Sequence, residues 1–211
     1  MSFRATDALV VVDVQTDFRD GGALAVPNGS EVVPLINRLM PLYQTVVLTQ
    51  DWHPDDHRSF AAHHPGMEPF STIDMPYGPQ VLWPRHCVQG SPGAEFHPDL
   101  EAFRAQMIIR KGFRPGIDSY SAFRENDKQT PTGLNGYLQE RGIQRVFLVG
   151  LALDFCVGFS ALDARSAELD AVVVEDACRA IDLNRSHAIM MEQFAEAGVD
   201  VHRSHEIGPQ L

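Results

Sequence analysis

The residues of this chain best suited to chemistry stand at the ends of its apolar runs. RVFLVGLAL, Arg145 to Leu153, is followed at once by Asp154, Phe155 and Cys156, and a helix-like pattern then begins. A thiol in the first turn of a helix lies close to backbone N–H groups and a dipole that favour the thiolate. The same N–H groups can hold an oxyanion. Asp13 interrupts the run ALVVVDV, where a buried carboxylate is costly without a partner. Lys111 closes MIIRK, and Asp51 follows TVVLTQ. Taken alone, Asp13 reads as a loop-capping carboxylate and Lys111 as a solvated strand-end lysine. Taken together, an acid, a cation and a thiol form a nucleophilic centre. The other two cysteines, Cys87 and Cys178, lack this placement and read as small buried hydrophobes.

A second group suits a metal ion. QDWHPDDHRSF places Asp51 and His53 two residues apart, so in extended chain both face the same side. WPRHCVQG supplies His86. One carboxylate and two imidazoles suit Zn²⁺, Fe²⁺ or Mn²⁺ and leave positions open for water or substrate. Of the 9 histidines, most read as solvated loop residues, and His57 is a reserve ligand because it shares the loop with His53.

These residues need a frame. Short β-branched runs recur at Ala8–Val14, Thr45–Gln50, Met107–Lys111, Arg145–Gly150, Ala171–Ala177 and, more weakly, Val199–Arg203. Continuous apolar runs suit strands buried on both faces, hence a parallel sheet covered by helices. Helical patterns lie between them. Ser30 is placed to cap EVVPLINRLMPLY and Thr132 to cap GLNGYLQERG, VGFSALDARSAEL follows Cys156, and SHAIMMEQFAEAG ends at Gly198. The alternation predicts an α/β fold, doubly wound, with a mainly parallel six-stranded sheet and helices on both faces. We expect one domain over residues 1–211, with an irregular excursion over about 51–91 that is rich in His, Pro, Gly and aromatic residues. In such sheets, sites form at the carboxyl ends of the strands. Asp13, Asp51, Lys111 and Cys156 sit there or just beyond, on four different strands.

The bulk properties narrow the partners. A chain of 211 residues with 44% hydrophobic and 21% charged residues has the size and composition of one globular domain. A net charge of −11 argues against nucleic acid or an anionic membrane as partner. Three sparse cysteines make a poor disulfide framework, which points to a reducing, cytoplasmic compartment. The N-terminal apolar run is broken by Asp13 and is too short to span a bilayer.

Five pieces, VVDVQTDF with GGALAVP, QDWHPDDHRSF, WPRHCVQG, KGFRPGIDSYSAF and GLALDFCVGFSALDA, resemble the nicotinamidases (pyrazinamidases) of the isochorismatase-like cysteine hydrolases. They run in the family's order from Val11 to Ala164. The resemblance implies an isochorismatase-like hydrolase fold and a catalytic triad of Asp13, Lys111 and Cys156. It implies one divalent metal ion, Zn²⁺ first and Fe²⁺ or Mn²⁺ as alternatives, on Asp51, His53 and His86. It further implies a cis peptide at Leu151–Ala152, an oxyanion hole from the N–H groups of Ala152 and Cys156, and aromatic pocket positions at Phe18, Trp83 and Tyr120. Leu153 stands where the family carries threonine. The activity implied is hydrolysis of nicotinamide to nicotinate and ammonia through a thioester, with action on pyrazinamide as well, in NAD salvage. The alternative is the same chemistry on another carboxamide or an N-carbamoyl substrate. Two further readings stay open: a metallohydrolase in which the metal activates water, and a non-catalytic binding module. Homo-oligomerisation is open too.

Overall fold

The computed structural model describes residues 3–207, so the two ends of the expected 1–211 span lie outside the described residues. Its centre is a six-stranded sheet built from β1 (Asp7–Val12), β2 (Thr45–Asp51), β5 (Met107–Lys111), β6 (Arg145–Leu151), β7 (Asp170–Arg179) and β8 (Asp200–His202). The spatial order is β5-β2-β1-β6-β7-β8. Every neighbouring pair is parallel. The six expected runs are these six strands, with ends moved by no more than two residues.

The sheet is buried on both faces, as the unbroken apolar runs require. Along β1, Ala8, Val10 and Val12 enter one core while Leu9 and Val11 enter the other. The first core holds α2 (Leu134–Glu140), α3 (Gly158–Ser166) and α4 (Ser186–Ala197), through residues such as Leu138, Ala161 and Phe194. The second holds α1 (Val33–Leu39) through Val33, Ile36 and Leu39, and α5 (Ser204–Ile207) through Ile207. From β1 the chain winds outward through β2 to β5, and from β6 outward through β7 to β8. The strand order therefore reverses between β1 and β6, where doubly wound sheets open a crevice at their carboxyl edge.

Local signals held unevenly. Gly198 closes α4 in the left-handed region with φ 69°. Thr132 falls one residue short of the cap position, which Gly133 takes with no side-chain cap, though its hydroxyl accepts from the N–H of Leu134 at 3.2 Å. Ser30 caps nothing. It lies inside a 3₁₀ turn, Gly29–Val32, and makes no side-chain cap, because the chain tightens there before α1 begins at Val33. The excursion over about 51–91 contains a 3₁₀ turn, Ala61–His63, and an antiparallel hairpin of β3 (Thr72–Met75) and β4 (Gly78–Val81). No helix among the described residues is long and apolar enough to cross a membrane.

Candidate active site

Four adjacent strands deliver the chemical groups to one edge. Asp51 and Lys111 are the last residues of β2 and β5, and they face each other in the ladder register. Asp13 is the first residue after β1 and takes φ 47°, which turns the chain out of the sheet. Cys156 lies five residues past β6, inside a single π-helical turn, Leu153–Val157, that runs into α3. The Leu151–Ala152 peptide between them is cis. A π turn of this kind recurs at functional positions.

Lys111 is the hub. Its Nζ lies 2.8 Å from Asp13 Oδ2, 2.5 Å from Asp51 Oδ1, 2.8 Å from the Ser119 carbonyl and 3.4 Å from Cys156 Sγ. It is fully buried. Burial alone pulls an ammonium toward neutrality, but the Asp13 and Asp51 carboxylates outweigh it and hold Lys111 well above its ordinary range. Asp13 is fully buried too. Burial raises its carboxyl above the usual value, against the pull of Lys111 and a 2.5 Å hydrogen bond from the Thr49 hydroxyl to Oδ1. Oδ2 has Lys111 as ion partner but no well-directed hydrogen bond. It is thus available to accept a proton from Cys156, whose Sγ lies within 4.8 Å of it.

The Cys156 thiol is pushed well above its ordinary range, by burial first, with Lys111 opposing and the two aspartates reinforcing. Burial thus outweighs the pull of Lys111 and favours the protonated thiol. An adjacent base is then needed, and Asp13 supplies the geometry of one.

The second group stands beside the first. Asp51 Oδ2 is 3.4 Å from His53 Nε2 and 3.7 Å from His86 Nε2. His53 Nδ1 lies 2.8 Å from the Gly112 carbonyl and His86 Nδ1 2.8 Å from the Pro84 carbonyl. A carbonyl only accepts, so each Nδ1 carries the hydrogen and each Nε2 turns a lone pair toward Asp51. Two imidazole lone pairs and a carboxylate oxygen, all buried and without a hydrogen between them, fit a divalent cation. Burial opposes ionisation of Asp51, but Lys111 beside it holds the carboxyl well below the usual carboxylate range, so the carboxylate is charged. His57 stacks against His53 at 4.3 Å between ring centroids. Its nitrogens contact Ser59 Oγ at 2.7 Å and the Ile117 carbonyl at 3.3 Å, outside the Asp51–His53–His86 group. Burial and the neighbouring His53 push its pKa down to about 4, which keeps it neutral.

Both groups open into one cavity of about 330 Å³ empty volume. Its wall includes Cys156 and Ala152 together with Asp51, His53 and His86. Phe18, Trp83, Tyr120 and Phe155 close it, with Trp83 and Phe155 edge to face at 4.9 Å. Asp13 and Lys111 lie behind the wall. A cavity walled by aromatic rings with a few convergent polar groups suits one small aromatic molecule.

Several participants were missed by sequence reasoning. Thr49 sits one pleat before Asp51 and bonds Asp13. Phe155 sits beside the thiol. Asp118, 2% exposed, lines the cavity and belongs to the DSYSAF motif, so a signal for it was present. Asp154, next to the cis peptide, accepts from the N–H groups of Ile181 and Asp182 at 3.0 and 2.7 Å and so pins Ile181 into the wall. Cys87 and Cys178 are buried away from the cavity. Burial pushes Cys87 well up and Cys178 up to about 12, so both are inert thiols.

Comparison with known proteins agrees with this geometry. A family model described as the isochorismatase domain matches residues 7–206. A nicotinamidase of Acinetobacter baylyi is 55% identical over 91% of this chain and 90% of its own length. The solved structure of a nicotinamidase/pyrazinamidase from Acinetobacter baumanii, 55% identical, covers 96% of this chain and 98% of that one with a TM-score of 0.95. A pyrazinamidase of Pyrococcus horikoshii solved in complex with zinc, 34% identical, covers 94% and 99% with a TM-score of 0.76. With the sheet order, the strand-edge residues and these matches in agreement, the chain belongs to the isochorismatase-domain family, on its nicotinamidase branch.

Proposed function

We propose that this protein is a cysteine amidohydrolase that converts nicotinamide to nicotinate and ammonia and accepts pyrazinamide as well. The observation that carries the reading is a single cavity lined both by the buried Cys156 thiol and by the adjacent Asp51–His53–His86 donor set. The nicotinamidase names of relatives at 55% identity give the substrate class.

In this reading Asp13 accepts the Cys156 proton as Sγ attacks the carboxamide carbon. The positive charge of Lys111, 3.4 Å from Sγ, stabilises the thiolate as it forms. The N–H groups of Ala152 and Cys156 receive the developing oxyanion, an interaction worth about 3–4 kcal/mol per donor in comparable sites. Asp13 returns its proton to the departing ammonia, which leaves a thioester. It then takes a proton from water, whose oxygen attacks the thioester carbon; as the C–S bond breaks, Asp13 passes that proton to the departing sulfur, and the acid leaves as nicotinate after losing its proton to solvent. Phe18, Trp83 and Tyr120 hold the substrate ring in line with Sγ. A divalent cation on Asp51, His53 and His86, zinc by analogy with the Pyrococcus horikoshii complex, supplies a Lewis-acid anchor for the ring nitrogen. Three free cysteines support work in a reducing, cytoplasmic setting, and turning nicotinamide into nicotinate fits a role in NAD salvage.

The test is ammonia release from nicotinamide before and after chelation. The expected result is turnover that falls at least tenfold on chelation and returns on adding zinc. Full activity in the chelated protein would remove the metal from the reading, and turnover of N-carbamoyl substrates alone would replace the substrate.

A glycine offers a finer probe. Gly112 has φ +65°, and a Cβ there would stand 2.5 Å from His53 Cε1. Gly112→Ala is therefore expected to push the imidazole off Asp51 and weaken metal binding about ten- to hundredfold. Zinc titration of the apoprotein reads this directly. Unchanged affinity would mean that His53 is not a ligand.

A further inference from the structure

The β3–β4 hairpin is the most exposed regular element near the site, yet it carries one fully buried side chain, and that side chain is polar. Gln80 on β4 has no exposed surface, while its neighbours on both strands are half-buried or exposed. A buried amide is tolerated only when its donors and acceptors are met, and here both ends are occupied. Nε2 donates to Asp118 Oδ2 at 2.7 Å, to the Tyr120 hydroxyl at 2.9 Å and to the Val81 carbonyl at 2.8 Å, so its two hydrogens are shared among three acceptors. Oε1 accepts from the Tyr77 hydroxyl and from Asn126 Nδ2, each at 3.1 Å. Asn126 Oδ1 accepts in turn from the Tyr120 N–H at 3.0 Å.

Gln80 touches the cavity only through others. Asp118 and Tyr120 line the cavity and Gln80 does not. Trp83, three residues after Gln80, faces Tyr120 edge-on at 6.1 Å between ring centroids. The amide thus joins the chain segment that bears Trp83 to the segment that bears Tyr120.

We propose that Gln80 is a positioning residue for substrate recognition: its side-chain amide clamps the β3–β4 hairpin onto the Asp118–Asn126 segment and so sets the spacing of the Trp83 and Tyr120 rings across the cavity. The proposal rests on the reading that nicotinamide occupies this cavity. Gln80 acts before the chemical step, so its loss weakens capture and leaves the Cys156 centre untouched. An apolar residue of the same size would fill the space but release Tyr120 and leave Asp118 Oδ2 without its donor.

The experiment compares kcat and KM for nicotinamide in wild type, Gln80→Met and Gln80→Glu, and repeats Gln80→Met in a Tyr120→Phe background. The wild type is measured first, and absence of turnover there overturns the functional reading along with this proposal. With an active wild type, Gln80→Met is expected to raise KM about tenfold while kcat changes less than about threefold. Gln80→Glu, which keeps the acceptor for Tyr77 and Asn126 but sets a carboxylate against Asp118, is expected to raise KM at least as much. In the Tyr120→Phe background Gln80→Met is expected to add less than about twofold, because the two residues act as one unit. Unchanged KM in both Gln80 variants, equal effects in the two Tyr120 backgrounds, or loss of the fold in both variants would each overturn the positioning role while leaving the nicotinamidase reading intact.

Discussion

Cys156→Ala is expected to lower ammonia release from nicotinamide by about 10⁴-fold or more. No neighbouring group can replace the sulfur. Cys87 and Cys178 are buried away from the cavity, and burial holds both thiols protonated. Asp13 lies behind the wall and is paired with Lys111. The fold is expected to survive, because the change removes one atom at the edge of a cavity. A void of that size costs about 1 kcal/mol, which is about 2–4 °C in melting temperature for a domain of this length. Steady-state turnover and a thermal melt of the variant check both halves. Retained turnover would favour a metallohydrolase in which bound metal activates water.

Lys111→Met has the largest expected effect on stability. It removes the cation between two buried carboxylates, 2.8 Å from Asp13 and 2.5 Å from Asp51, and puts an apolar chain in its place. Breaking a buried pair in this way costs about 3–5 kcal/mol, since the stranded charges have no solvent to receive them. A fall of roughly 6–20 °C in melting temperature follows for a domain of this size, together with loss of activity. The deficit depends on pH, with a sign that can be worked out. Burial already raises the Asp13 carboxyl, and losing Lys111 raises it further. A folded-state pKa above the unfolded value gives stability that is present in acid and lost as pH rises through the folded value. The variant is therefore expected to lie closer to wild type at pH 5 than at pH 8, where melts at the two values show the difference. A melting temperature at pH 8 within about 2 °C of wild type would contradict the charge arrangement described here.

The sheet was readable from the chain because burial on both faces demands unbroken β-branched runs, and such runs stand out. The same logic explains where the reading stopped. β7 continues to Arg179, two residues past the expected end at Ala177, since the polar, half-buried Arg179 carries no apolar signal. The hairpin left no clear pattern: TIDM and GPQV are four residues each, and the buried position is a glutamine. Its inward side makes hydrogen bonds rather than apolar contacts, so alternation of apolar residues carries no trace of it. Asp13, Asp51, Lys111 and Cys156 could be grouped in advance because each interrupts or ends an apolar run, and a parallel sheet brings such ends to one edge. Thr49 and Asp154 could not, because nothing in their spacing says that their side chains cross between segments 27 to 36 residues apart in sequence, as Thr49 reaches Asp13 and Asp154 reaches Ile181.

The central claim is that Cys156 forms a covalent bond to the acyl group of the substrate. The most direct test is rapid acid quench of the enzyme during turnover of nicotinamide, followed by mass spectrometry of the intact protein and of its peptides. The account predicts a species heavier by one nicotinoyl group, located on the peptide containing Cys156, removed by hydroxylamine and absent from Cys156→Ala. Turnover at the normal rate with no acylated peptide at any quench time, or an acyl group on a different residue, would contradict it.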